Sequence, residues 1–286
     1  MIIQNVFESS LKKIGLLKMN SEGISAINSG AYKSYIKVFY APKGYRIKVD
    51  FSVYTTAQPT LFFVAPNQFM DIEVAGSEPG WFMFYNRDFY CIHIHDEEVA
   101  CDGLLFNNIH NMPMITVAKE HSVATNDLFI QIEDEFVQND SCMEEMIRTY
   151  LKQLLIRATR LWKQQHLVKE VVQQSSDLEF FRKFTLLVDQ HYQKKHSVSD
   201  YADMLFMSPK TITHKFNKLN LPQPNEIIKN RIVLEAKRLL VHTAMTAKEI
   251  AYELGYDDPA YFSRIFQLKT GDSPSGFRTK YLAASD

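Results

Sequence analysis

The chain has three cysteines, Cys91, Cys101 and Cys142, and none stands in a Cys-x-x-Cys pair. That scarcity excludes a disulfide framework and a thiolate zinc site, and it fits a reducing, cytoplasmic compartment. No apolar run approaches membrane-spanning length, which speaks against a membrane partner. The N-terminus, MIIQNVFESSLKKIGLLKM, has its lysines after its apolar residues and no cleavage site, so it does not read as a signal peptide. A glycine-rich phosphate loop and a Ser/His/Asp constellation are also missing, and no cofactor is expected. A strong charge of either sign is lacking too. Lys+Arg number 32 against 33 Asp+Glu, a net charge of −1, so no strong overall field would draw in a polyanion. What remains, with 46% hydrophobic and 23% charged residues over 286 positions, is a globular chain of about two domains.

The small charge is unevenly spread. Residues 1–176 hold 16 Lys+Arg and 20 Asp+Glu, and residues 177–286 hold 16 and 13. From Met204 to Asn225 there is no acid, but there are Lys210, His214, Lys215 and Lys218. Binding to a polyanion would therefore depend on local placement.

Residues 1–118 read as β. SYIKVFYAPKGYRIKVDFSVYT, PTLFFVAPNQFMDIEV and GWFMFYNRDFYCIHIH are short aromatic strands bounded by Pro, Asn and Gly, a pattern of a small sandwich or barrel. Phe62, Phe63, Phe69, Trp81, Phe84 and Tyr85 in these runs read as core rather than pocket. Residues 119–166 read as a helix pair joined at Asn139-Asp140, with Ser141 and Glu144 spaced as a capping box. The second helix carries an apolar stripe, Met143, Met146, Ile147, Tyr150, Leu151, Leu154, Leu155, Ala158, Leu161 and Trp162, which looks too broad for one contact and suggests a homodimer. Residues 167–177, ending in QQSSD, form the linker candidate, and Ser176 with Glu179 opens a new helix in the segment 178–286.

Within 178–286 one short plan occurs twice. Thr246-Ala-Lys-Glu249 is a capping box before EIAYELG, and DPAYFSRIFQLKTG follows, with Asp258 as N-cap, Pro259 at the first helical position and Gly271 as closing residue. Ser197 to Asp200 opens YADMLF, and SPKTITHKFNKLN follows with Ser208 as cap and Pro209 next. Ala202 and Ala251 are small enough for a second helix to cross closely. Ile212 and Phe216, like Phe262 and Phe266, face inwards. Lys210, Thr213, His214 and Asn217 face outwards in one copy, and Ala260, Ser263, Arg264 and Gln267 in the other. Two copies in tandem favour helix-turn-helix units over ordinary helical hairpins. Phe206 stands where the second copy has Gly255. A bulky residue is costly in a left-handed turn, so the first turn is expected to use another conformation. PNEIIKNRIVLEAKRLLVHT lies between the copies, with Ile228, Ile232, Ala236 and Leu239 on one face.

At RIVLEAKRLL, KEIAYELGYDDPAYFSRIFQLKTGDSPSGFR and the weaker first unit, the chain resembles the AraC/XylS family of bacterial transcription regulators, over about residues 178–282. The N-terminal half resembles, by order and texture, the cupin-like sensing domain of such regulators. The resemblance implies an α+β multidomain chain: a cupin-like β-barrel with a helical dimerisation hairpin, then an all-α tandem helix-turn-helix domain. It implies double-stranded DNA as partner, a small-molecule effector in the N-terminal domain, and RNA polymerase as partner for an activator. The eight outward residues would be the DNA-reading set, with Arg264 able to donate twice to guanine. His214 stands where many relatives carry Arg. Helix N-termini, including that near Thr246, could donate to phosphates.

The competing readings are a cupin-type metalloenzyme and a protein-interaction adaptor. In HIHDEE, the alternating His93, His95 and Glu97 would share a strand face. At about 3.3 Å rise per residue three ligands on one strand could hardly converge on one ion, so a polar strand end is favoured, with no metal and no catalytic residue. An adaptor would leave the outward Arg264 and Lys210 unexplained.

Overall fold

The computed structural model describes residues 5–91, 104–106, 114–166, 175–219 and 221–282. The chain divides into two compact units, Met1–His166 and Leu167–Asp286.

In the first unit the strands are β1 (Asn5–Glu8), β2 (Lys13–Met19), β3 (Ile36–Ala41), β4 (Arg46–Val49), β5 (Ser52–Thr55), β6 (Thr60–Val64), β7 (Met70–Val74), β8 (Gly80–Tyr85) and β9 (Met114–Thr116), with helix α1 (Ser21–Asn28) after β2. They form a six-stranded sheet in the order β1-β2-β8-β3-β6-β9 and a three-stranded sheet in the order β5-β4-β7. All the strand pairings are antiparallel.

The expected cupin-like closed barrel is not what the strands make. Both sheets are open, and among the described residues no strand is paired to both. The reason is visible at the crossings. The chain passes between the sheets four times: after β3, after β5, after β6 and after β7. Pro42, Pro59, Pro66 and Pro79 stand in those four connections. Proline has no N–H to carry a ladder round a corner, so each crossing ends the pairing. Pro42-Lys43-Gly44 thus joins strands of different sheets, β3 and β4.

The sheets meet through one core. Leu17, Phe39, Phe62, Phe82 and Phe84 from the large sheet cluster with Ile47, Val49 and Ile72 from the small one. The other face of the large sheet is covered as well, by α2 (Lys119–Gln138) and α3 (Met143–His166). Phe129 of α2 lies 6.1 Å from Tyr40 and 6.3 Å, stacked, from Trp81. Burial on both faces explains why TLFFV and GWFMFY are continuous apolar runs instead of alternating ones. Of the six aromatics read as core, Phe69 is exposed and lies beneath the Lys48 ammonium.

The apolar stripe of α3 is covered within its own unit. Met143, Ile147, Leu151, Leu154, Leu155, Ala158 and Trp162 are buried, and only Met146, Tyr150 and Leu161 stay partly open. Its width therefore gives no ground for a second chain. The capping box expected at Ser141 is replaced by other contacts. Asp140 accepts the Cys142 N–H at 2.8 Å, and Glu144 pairs with Lys12 at 2.7 Å and Arg148 at 2.5 Å.

The second unit is helical: α4 (Ser175–His191), α5 (Val198–Met204), α6 (Pro209–Lys218), α7 (Pro224–His242), α8 (Ala247–Glu253), α9 (Pro259–Thr270) and α10 (Pro274–Leu282). Phe184 of α4 packs on Tyr201 of α5 and Phe216 of α6, at 5.5 and 4.9 Å. Phe262 and Phe266 of α9 pack with Tyr256 and with Phe277 of α10, each at 5.5 Å. Each helix-turn-helix thus closes over its own aromatic cluster. The linking helix α7 buries Ile228, Ile232, Ala236 and Leu240, with Leu239 only half-buried.

Candidate nucleic-acid interface

Each short helix begins where its cap chemistry demands. Ser208 accepts the Thr211 N–H at 3.0 Å, and Asp258 accepts the Ala260 N–H at 2.8 Å. Pro209 and Pro259 follow, where a missing N–H costs nothing. Gly271 ends α9 with φ +83°. Ahead of them, Ser197 with Asp200 and Thr246 with Glu249 form complete reciprocal capping boxes.

The turns are closed identically. Met207 donates to the Ala202 carbonyl at 2.9 Å, and Tyr256 donates to Ala251 at 2.9 Å. Both bonds span five residues back, the mark of a Schellman closure, which needs a left-handed residue just before the donor. Gly255 takes φ +77° there. Phe206 does the same at φ +53°, so the expectation of another conformation for the first turn fails. The hydrogen-bond closure dictates φ, and the ring, 96% exposed, meets nothing that would resist it.

The eight outward residues lie on α6 and α9 as the helical spacing requires. Lys210, His214 and Asn217 are exposed, and so are Ala260, Arg264 and Gln267. Thr213 and Ser263 are half-buried, and they repeat each other's geometry. The Thr213 hydroxyl donates to the Pro209 carbonyl at 3.0 Å, and the Ser263 hydroxyl donates to Pro259 at 2.8 Å. Asn217 accepts from the Gln223 amide at 2.7 Å. The Arg264 guanidinium lies over the Tyr261 ring, 5.8 Å from its centre, which steadies a long side chain while leaving its donors outward. At the start of α8, Glu249 accepts both the N–H and the hydroxyl of Thr246, at 2.7 and 2.8 Å. That end presents a carboxylate rather than free donors for a phosphate.

Several supporting residues lie in the stretches that carry the family resemblance, but the sequence assigns them no individual role. Arg231 on α7 is buried, paired with Asp189 at 2.7 Å and Glu235 at 2.9 Å, with its guanidinium 3.8 Å from the centre of the Tyr192 ring. Burial alone would lower its pKa, but Asp189, Tyr192 and Glu235 together raise it, so it stays charged. Arg278 of α10 donates to the Leu240 carbonyl at 2.7 Å and to that of Met245, tying α10 to the end of α7. Tyr256 stacks on His196 at 4.5 Å, and burial pushes its phenol up to about 12. Tyr261 is half-exposed beside Arg264.

His93, His95 and Glu97 lie outside the described residues. Among the described residues no group of three or more His, Cys, Asp or Glu is placed to hold a metal ion, and no helix is long and apolar enough to cross a membrane.

A family model described as a helix-turn-helix domain matches residues 201–280. The chain is 31% identical over 94 residues to the uncharacterized HTH-type transcriptional regulator YijO of Escherichia coli, covering 33% of each chain. It is 24% identical over 255 residues to the uncharacterized HTH-type transcriptional regulator YfiF of Bacillus subtilis, covering 87% of this chain and 78% of that one. It is 26% identical over 158 residues to the arabinose operon regulatory protein of Escherichia coli, covering 55% and 52%. The chain thus spans about a third of YijO and about half of the arabinose regulator. It carries a DNA-binding helix-turn-helix domain and is related to AraC/XylS-type transcriptional regulators.

Proposed function

We propose that the chain is a sequence-specific transcriptional regulator in which α6 and α9 enter successive major grooves of one DNA duplex. The observation that carries this is the repeated construction. Two helices, each with a side-chain N-cap, a Pro after it, the same hydroxyl-to-carbonyl bond and the same turn closure, each leave a polar face open. The connecting helix α7 has nineteen residues, about 28 Å at ~1.5 Å per residue. That is of the order of the ~34 Å between grooves one DNA turn apart. Lys210, Thr213, His214 and Asn217 form one reading set, and Ala260, Ser263, Arg264 and Gln267 the other. Arg264 takes guanine, and Ala260 offers methyl contact only.

The N-terminal unit in this reading dimerises through 119–166 and binds a small effector, and the dimer activates transcription with RNA polymerase. The dimer has a specific support. Val123, Ile130 and Val137 stand seven residues apart on the open face of α2, with Val123 68% and Val137 76% exposed. That is a seam spacing for a second copy of the same helix.

The deciding experiment selects bound fragments from random duplex DNA with the purified full chain, then compares Arg264→Ala on the selected site and on random DNA. The substitution is expected to cost about 1–3 kcal/mol at the selected site and to relax base preference there. Equal loss on both DNAs would reduce Arg264 to a phosphate contact. No fragment enriched at all would sink the reading.

A further inference from the structure

The geometry points to a binding site for a small organic carboxylate on the α2–α3 hairpin of the N-terminal unit, apart from the helix-turn-helix module. A cavity of about 210 Å³ opens there, lined by His121 and Ala124 of α2 and by Arg157, Arg160, Leu161 and Gln164 of α3. Arg157 and Arg160 are three residues apart and share a helix face. The Arg157 guanidinium is held in place by donation to the Ala124 carbonyl at 3.2 Å, across the hairpin.

The cavity gathers positive charge. Several cations of the unit are paired with acids: Lys12 with Glu144 at 2.7 Å, Lys13 with Glu8 at 2.8 Å, Lys18 with Glu133 at 3.2 Å and Arg46 with Glu73 at 2.8 Å. The cavity lining contains no acid. No carboxylate pairs with Arg157 or Arg160 among the described residues, although residues 1–176 hold more acids than bases. Glu120 lies 3.5 Å from the His121 imidazole. The start of α2 adds to the positive potential. Its N-cap is Ala118, with no side chain to satisfy the first-turn N–H groups.

Two guanidiniums on one face suit a planar carboxylate, which each can meet with paired N–H donors. Gln164 adds an amide, and Ala124 and Leu161 give the remainder of the ligand an apolar wall. The volume is below the range for drug-sized ligands, so the molecule is small. The site gives a chemical class to the effector reading above, and only its regulatory consequence rests on that reading.

The test titrates the intact chain, without DNA and at constant ionic strength, with sodium succinate, sodium butyrate and inorganic phosphate in separate calorimetric runs. Saturable one-to-one binding of at least one carboxylate is expected, weakened tenfold or more by Arg160→Gln and by Arg157→Gln. Arg160 is exposed and holds no internal bond among the described residues, so its variant should melt like the wild type. Arg46→Gln, outside the cavity, should bind as the wild type does. The assignment is overturned if neither carboxylate saturates, if binding survives Arg160→Gln in the folded chain, or if phosphate alone binds. Because no DNA is present, failure here leaves the reading of the C-terminal module untouched.

Discussion

At the first helix-turn-helix the closing residue is Phe206, left-handed at φ +53° and open to solvent. At the second it is Gly255, left-handed at φ +77° and also exposed, but with the Gln193 backbone close against it. A Cβ built on Gly255 would stand 2.0 Å from the Gln193 carbonyl oxygen. The loop before the first unit packs against the second unit's turn, and His196 stacks on Tyr256 beside it. The two turns have one hydrogen-bond closure and differ in what lies next to the closing residue. Glycine at the second turn is therefore required twice, by φ and by the approach of another backbone. At the first turn φ alone asks for glycine, and the chain tolerates the strain because nothing presses on the ring.

The largest effect that would sharpen this contrast is expected from Gly255→Ala. Left-handed strain of roughly 1–2 kcal/mol and a backbone clash of the overpacking kind, about 1–3 kcal/mol, should act together. Hydrogen exchange measured over residues 198–282 should show protection falling across both helix-turn-helix units, because the clash lies between them. Confinement of the loss to α8 and α9 would mean that the Gln193 contact does not couple the units.

Phe206→Gly should act in the opposite direction. Relief of the left-handed strain, reduced by the extra freedom glycine has when unfolded, leaves a gain of about 0.5–1 kcal/mol. Exchange protection of α5 and α6 should rise while that of α8 and α9 stays put. A loss of stability would show that the exposed ring makes a contact in solution that offsets its strain.

The smallest effect concerns the matched capping boxes. Burial raises the Asp200 carboxyl, but hydrogen bonds from Ser197 and Lys195 outweigh it and hold the pKa below the usual 3.8. The Thr246 N–H and hydroxyl hold Glu249 below its usual 4.5. A carboxylate depressed in the folded state adds stability that is fully present above its unfolded pKa and is lost as pH falls through its folded one. The module should keep its melting temperature from pH 7 down to about pH 5 and lose part of it below about pH 4. Asp200→Asn and Glu249→Gln should each flatten that fall. If only one does, the boxes are alike in geometry but not in energy.

Local chemistry was legible wherever one stretch of chain carries its own reason. The Ser208 and Asp258 caps, the prolines after them, Gly271 and the buried Ile212, Phe216, Phe262 and Phe266 all follow from neighbours within a few residues. At Phe206 the same local chemistry points the wrong way. A side-chain preference was set against a backbone closure, and the closure, being hydrogen-bonded, prevailed. Glu144 shows the other kind of miss. At capping-box spacing from Ser141, it turns to Lys12, distant in sequence, and to Arg148, a pairing that a local rule for Ser141 does not anticipate. The α3 stripe is wide without a second chain, because a hairpin partner and a sheet cover more of one helix than a single contact does.

The sequence by itself determined where helices start and stop in the C-terminal unit, which side chains face out on α6 and α9, and where the N-terminal strands break. Those outcomes depend on caps, period and proline, all of which act over one or two turns. Only the tertiary structure decided that the strands divide into two open sheets, that the Arg231 cation is buried against Asp189, and that Gly255 faces Gln193. The same holds for the unmatched pair Arg157 and Arg160 beside His121. Each of these depends on residues far apart in the chain reaching hydrogen-bond or van der Waals distance. Spacing along the sequence carries no record of that.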